Sequence, residues 1–581
     1  MYITMRVIVT VAISLFLLSS CKQDTTVGDD RSVLNIAIKK DPAKLNPIVY
    51  PVQTARQVYQ YLFTPLADFN PETYELEPIL LTSLPEPEVV ERGPHAGRIK
   101  YVVDIRKGAT WADGTPITGA DYLFTLKAIK HPETAAGSYR SYLTNLVSAQ
   151  INPTDKQKVT VIFDEYYFLS KEIVSTLDIY PKHIYDPHGY LDNLPLPVLD
   201  DKERYDERAA KDSTLTTFAT DFNSVKYSRE IVSGSGPYEL VDWVTDQVVV
   251  LQRKENYWGA DSDIPYLQAG PQQLIFHIIP DEVAVINQLK SGEMDLYAGA
   301  SAAEFTKLRD SDQYGDQFSF LTPEVLRTYF ISINNSDPAL ADVDVRKAIA
   351  HLVDVEEIID LMEKGLAKRA TGHININKPM YKQLPLIEED VEKAKSILAA
   401  DGWADTNADG TIDKHIDGEQ VELILDMYTT GSDLSNKIAL LLSENAKQVG
   451  IKINIIQKKY RDFRRENLAK RDYDLFTSAF TQDLAHDDLY GKWHSDNDTP
   501  TGGNTFSYRS EKADELIEKI RDTKNETELL PLYADLQQQI HDDQAVIWLY
   551  HPMEKVILSK KWKGSGTVKR PGYLANTFQI R

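Results

Sequence analysis

The chain of 581 residues contains a single cysteine, Cys21. One thiol cannot close an intramolecular disulfide, and no cysteine cluster exists to hold zinc or an iron–sulfur centre. Basic residues are in deficit: 64 Lys and Arg stand against 87 Asp and Glu, a formal net charge of −23. Such a surface repels phosphate, which argues against nucleic acid as a partner. Beyond the first twenty residues, no apolar run is long enough to span a bilayer core of about 30 Å. Internal repeats and low-complexity blocks are also missing. What remains is ordinary for a globular protein, with 42% hydrophobic and 26% charged residues, and the length suits about four domain-sized units.

Local catalytic patterns are missing too. There is no G-x-x-x-x-G-K-[ST] phosphate loop and no H-E-x-x-H, and the twelve histidines show no metal-ligand spacing. Gly234-Ser235-Gly236 is not the G-x-S-x-G of a nucleophile elbow. The expectation is a protein with no catalytic residue, no cofactor and no resident metal. A hydrolase with a scattered triad stays open as an alternative, as does an adhesion or signalling protein. The tract from Asp405 to Asp413 places oxygen ligands and Gly410 as an EF-hand loop does, but Ile416 stands where a bidentate Glu is needed. An Asx-rich hairpin whose side chains bond local backbone is the favoured reading, with weak calcium binding as the alternative.

The N-terminus is an address. Arg6 precedes an apolar run from Val7 to Leu18, then small residues and Cys21. This is the layout of a secretory signal peptide. Leu18-Ser19-Ser20-Cys21 resembles the bacterial lipobox, which implies cleavage before Cys21 and its lipidation. More than one acyl chain there would anchor the protein without a membrane helix. Residues 1–20 are thus expected to be a signal peptide and 21–31 a tether.

Alternation predicts a first strand from Val33 to Ile38 and another within Arg98 to Arg106; helical spacing appears from Thr54 to Phe63 and from Asp121 to Lys130. Residues 191–230 are charged and weakly periodic, and read as a long surface excursion with short helices. Asp344 is expected to cap a helix running to about Met362, with Gly365 beyond its end. Strand Val421 to Met427, helix Leu434 to Gln448 and strand Ile451 to Ile456 predict a β-α-β unit with a parallel pair.

Several segments, in order, carry a resemblance. They are Leu45-Asn46-Pro47 with Val58 to Phe63; Arg106 to Thr118 (RKGATWADGTPIT); Gly234-Ser235-Gly236-Pro237-Tyr238; Asn256-Tyr257-Trp258-Gly259; Ser291 to Asp295 (SGEMD); Asn334, Arg346 to Ile349 and Asp354; and Gly402-Trp403. Together they resemble the extracytoplasmic solute-binding proteins of ABC importers, peptide/nickel-type family 5. The resemblance implies an α/β, two-lobed periplasmic binding protein type II-like fold with an extra domain inserted in the first lobe. It places the first lobe at 32–81, 231–299 and 546–581, the extra domain at 82–230 and the second lobe at 300–545. It further implies a monomeric receptor, lipid-anchored through Cys21 on the periplasmic or cell-surface face. That receptor would capture an oligopeptide or dipeptide between its lobes and deliver it to an ABC permease. Phe480-Thr481-Gln482-Asp483 matches the family's W-x-x-D segment, with Phe480 in place of Trp, so Asp483 is the expected partner of a ligand ammonium. Ser235, Tyr329, Asn334, Trp403 and Asn504 are further pocket candidates. A nickel-chelate ligand would want His486 or His494, and an oligosaccharide would want Phe480 and Trp493 as stacking faces.

Overall fold

A computed structural model describes residues 32–581. The expected signal peptide and lipidated Cys21 lie outside these residues. Among the described residues no helix is long and apolar enough to cross a membrane.

Two mixed sheets organise the chain. The first has seven strands in the order Phe318–Leu321, Val556–Ser559, Leu296–Ala298, Val33–Ile38, Gln273–Ile278, Val248–Arg253 and Tyr238–Val244. Val33–Ile38 runs parallel to both of its neighbours. Its alternation buries Leu34 and Ile36 completely, and these meet Leu274 and Phe276 in one core. The second sheet has six strands in the order Ala367–Arg369, Val546–Pro552, Arg327–Ile333, Leu475–Thr481, Ile424–Thr429 and Lys452–Gln457. The expected β-α-β unit is present: Ile424–Thr429 pairs in parallel with Lys452–Gln457, and helix Asp433–Gln448 connects them.

The sheets divide the chain at different points from those read in the sequence. Phe318–Leu321 pairs with Val556–Ser559, so the first lobe's sheet extends past 300. Val546–Pro552 pairs with Arg327–Ile333 and belongs to the second sheet, so the return to the first lobe comes after 552. The strand is buried at every position and so matches either core by composition; hydrogen-bond pairing decided it. The chain therefore crosses between the sheets twice, at 322–326 and 553–555. The two crossings lie side by side, with Glu324 bridged to Met553 and the Glu554 N–H donating to the Pro323 carbonyl at 2.8 Å.

Residues 82–230 contain a four-stranded antiparallel sheet, in the order Glu88–Val89, Ile99–Asp104, Lys158–Phe163 and Leu146–Ile151. Helix Gly119–Lys130 packs on it through Phe124, Leu126 and Ile129, and starts at a Thr118–Asp121 capping box. Its hydrophobic core is continuous with that of the seven-stranded sheet. Residues 191–230 are no surface excursion. Lys127 Nζ donates to the Leu191 carbonyl at 2.7 Å, and the buried Lys130 pairs with Asp200 at 2.6 Å. Tyr205, Leu215, Phe218 and Phe222 then enter the same core on short helices. These helices are mostly polar, and a few aromatics supply their apolar side, which is why periodicity was weak.

The helix expected from Asp344 to Met362 is two pieces. Asp342, not Asp344, caps Val343–Ala350, and Asp354 caps a second start at Val355. Two Asx caps twelve residues apart read as one when only the apolar spacing is followed. In the 405–413 tract, Asp405, Asn407 and Asp409 accept hydrogen bonds from the Asp409, Gly410 and Thr411 backbone at 2.8–3.1 Å. Their oxygens are spent on the turn itself.

Candidate functional site

The two lobes face each other across a cleft of about 810 Å³. One wall comes from the first lobe: helix Gln53–Tyr59 and the chain to Phe69, the extra-domain segments at 139–143 and 169–178, and the C-terminal return at 568–576. The other wall is the second lobe's 479–488 segment, where the chain leaves strand Leu475–Thr481, with Leu326, His373 and Lys492 beside it.

Asp483 and Phe480 both line this cleft. The Asp483 side chain is 82% exposed and lies 3.7 Å from Arg56 of the opposite wall. Burial alone would lower the Arg56 pKa; the facing Asp483, with weaker help from neighbours, outweighs it and keeps the guanidinium firmly charged. Phe480 is mostly a core residue, only 7% exposed, with its ring on Phe330 at a 4.2 Å centroid separation. The other sequence candidates do not line the cleft. Ser235 is buried and binds the Thr64 backbone; Asn334 donates to the Arg471 carbonyl; Asn504 donates to the carbonyls of His494 and Tyr508. Tyr329 rests on Tyr550 within the second sheet, and Trp403 is buried in that lobe's core with its indole N–H on Asp401. Polar residues that fix turns and aromatics that fill cores have the composition of a ligand wall, so residue type could not separate them.

His486 lines the cleft, with Nδ1 2.8 Å from Glu172 of the first-lobe wall. His494 is buried and faces Glu518 and Asp514 instead. Trp493 is fully buried and presents no face to a sugar. Among the described residues no group of three or more His, Cys, Asp or Glu could hold a metal ion.

What shapes the 483–488 loop is a cation the sequence did not single out. The buried Lys378 Nζ donates to the carbonyls of Asp483 and Ala485 at 3.0 and 2.6 Å and meets Asp487 at 2.5 Å. Burial pushes the Asp487 carboxyl up, and Lys378 offsets part of that. Gln482 ties the same carboxylate to the backbone N–H of Asn375. At the rim the lobes touch: Tyr167 O–H donates to Asp488 at 2.7 Å, and Phe168 and Leu169 pack into the second lobe's aromatic cluster.

The first-lobe wall holds groups that sequence reading missed. Lys569 pairs with Asp68 and lies over the Tyr266 ring at 4.1 Å. Tyr59, Tyr139, Tyr142 and Asp178 line the cleft near Arg56. For the tyrosines the signal was their excess, 31 against 18 phenylalanines, since a hydroxyl on a core ring needs a partner; Lys569 and Asp178 carried no local signal.

The arrangement is a binding cleft spanned by two adjacent chain crossings, and the comparisons with known proteins agree. The profile of the bacterial extracellular solute-binding proteins, family 5, matches residues 85–502. The chain belongs to that family. Its members are receptors of ABC importers, not enzymes. The chain is 24% identical over 472 residues to the oligopeptide-binding protein AppA of Bacillus subtilis, covering 81% of this chain and 78% of that protein. The solved structure of B. subtilis AppA with a nonapeptide superposes at a TM-score of 0.68 and 21% identity, covering 94% of this chain and 99% of that one. NikA of Brucella suis with Fe(III)-EDTA superposes at a TM-score of 0.74 and 18% identity, covering 94% and 100%. At these identities the superpositions speak for the fold.

Proposed function

We propose that this family 5 receptor binds oligopeptides or dipeptides in the cleft and presents them to an ABC permease, anchored by lipid on Cys21 at the periplasmic or cell-surface face. One observation carries the ligand class: Asp483 stands exposed on the cleft wall and shares a contact of only 3.7 Å with Arg56. An ion pair that exposed contributes about 0–1 kcal/mol, so a ligand ammonium can replace Arg56 at little cost. Oligopeptide-binding relatives support the same reading. A ligand touching both walls favours the closed arrangement by no more than its differential affinity for closed over open. The rim contacts of Tyr167 with Asp488 and Glu172 with His486 also join the lobes.

The test is a thermal-shift screen with dipeptides, longer peptides, chelated nickel and oligosaccharides. A ligand at a hundred times its Kd stabilises by about 2.7 kcal/mol. Peptide shifts that vanish in Asp483→Asn support both the ligand class and the ammonium site. Peptide shifts that survive the substitution remove Asp483 from the site. A shift with nickel chelates or sugars alone replaces the ligand class, and no shift with any class favours an adhesion role.

A further inference from the structure

Asp178 is a carboxylate of the cleft lining with no ion pair among the described residues. It is held in place by backbone, bridged to Pro65, with the Leu66 N–H donating to the Leu177 carbonyl at 3.2 Å. Its half-buried carboxylate lines the cleft yet accepts no hydrogen bond among the described residues. Two neighbouring cations have partners of their own, Arg56 at 3.7 Å from Asp483 and Lys569 with Asp68. Burial, opposed by Arg56, reinforced by Asp68 and opposed again by Lys569, pushes the Asp178 carboxyl up to about 7. A partly buried anion without a partner is disfavoured, so an arriving cation is favoured there.

The surroundings suit one. Tyr59 is 5% exposed, lines the cleft, and its hydroxyl has no hydrogen-bond partner among the described residues. The Tyr139 hydroxyl is likewise unpartnered, and both phenols sit close enough to Asp178 and Asp483 to be perturbed by them. Tyr142 lines the cleft beside Asp483. Phenol oxygens accept from an ammonium, and their ring faces attract it.

We propose that Asp178, with the Tyr59 and Tyr139 phenols, forms a first-lobe subsite for a basic group of the ligand, so that the receptor prefers peptides with a lysine-like side chain. This rests on reading the cleft as a peptide site, where Asp483 takes the α-ammonium and Asp178 takes the second cation.

The test compares Lys-Ala-Ala with norleucine-Ala-Ala, which differ by one ammonium, by calorimetry on the purified protein and on Asp178→Asn. A charge-assisted hydrogen bond predicts a preference for the lysine peptide of roughly tenfold to a hundredfold in the unaltered protein. Asp178→Asn should abolish the preference while leaving norleucine-Ala-Ala binding in place, and Asp178→Glu should keep it. Equal affinities, a preference that survives Asp178→Asn, or an equal loss of both ligands overturns the subsite. If neither peptide binds, the peptide reading fails, and lysine amide against norleucine amide tests the subsite alone by thermal shift. A larger shift with lysine amide that disappears in Asp178→Asn supports it; no difference between the amides overturns it.

Discussion

Replacing Lys378 with methionine should both unfold the second lobe more easily and loosen the cleft. The side chain of Lys378 is fully buried, its ammonium meets Asp487 at 2.5 Å, and Asp487 is itself 12% exposed. Methionine fills most of the volume but leaves that carboxylate buried without its cation, and breaking a buried pair from one side costs about 3–5 kcal/mol. The carbonyls of Asp483 and Ala485 also lose their donor, about 1–3 kcal/mol for each if no water replaces it. Against a total stability of about 5–15 kcal/mol this is a large fraction. The deficit carries a pH signature. Burial already raises the Asp487 pKa above 3.8 with Lys378 present, and removing the cation raises it further. The folded variant then holds its proton at a pH where the unfolded chain has lost it, so its deficit is largest near neutrality and shrinks as pH falls. Urea titrations of Lys378→Met at neutral and acidic pH read both effects, and Lys378→Met combined with Asp487→Asn should recover part of the loss. A deficit below about 1 kcal/mol, or one that does not change with pH, would refute this account of the loop.

Phe480→Ala should cost about 3–5 kcal/mol, because its ring stacks on Phe330 and touches Phe506, Trp493 and Trp548; a melting temperature close to that of the unaltered protein would mean that Phe480 serves the ligand alone. Phe222→Ala should cost a similar amount, since the ring packs on Phe218 and Tyr180 in the first-lobe core; a change within about 0.5 kcal/mol would return 191–230 to the surface. Burial, outweighing its backbone hydrogen bond, lowers the His551 pKa from 6.5 to about 4, so its contribution is present above 6.5 and lost as pH falls below it. His551→Asn should therefore show a flatter stability profile than the unaltered protein between about pH 6.5 and pH 4, and identical slopes would contradict a buried neutral ring. Asp178 acts with the opposite sign: its folded pKa of about 7 lies above 3.8, so stability falls as pH rises through that window. Chemical denaturation of Asp178→Asn should show that slope removed.

The sequence by itself determined the elements and the family. Period-two runs such as Val33–Ile38 and the Ile424–Gln457 unit are local patterns, because each side chain's burial repeats with the backbone geometry that produces it. The ordered motifs are short stretches with their own turn chemistry, and the resemblance they carry pointed to Asp483, which lines the cleft. Tertiary structure alone decided what those patterns face. An apolar strand such as Val546–Pro552 satisfies either sheet, and only pairing with Arg327–Ile333 assigned it to the second. Trp403 and Asn504 resemble cleft residues in composition, yet one fills a core and the other ties a turn. Lys378 reaches the 483–487 loop, and Asp178 comes to stand opposite Asp483, through contacts between segments far apart in the chain. Whether a carboxylate is paired or left for a ligand depends on which cations the fold brings within a few ångströms, and no local spacing encodes that distance.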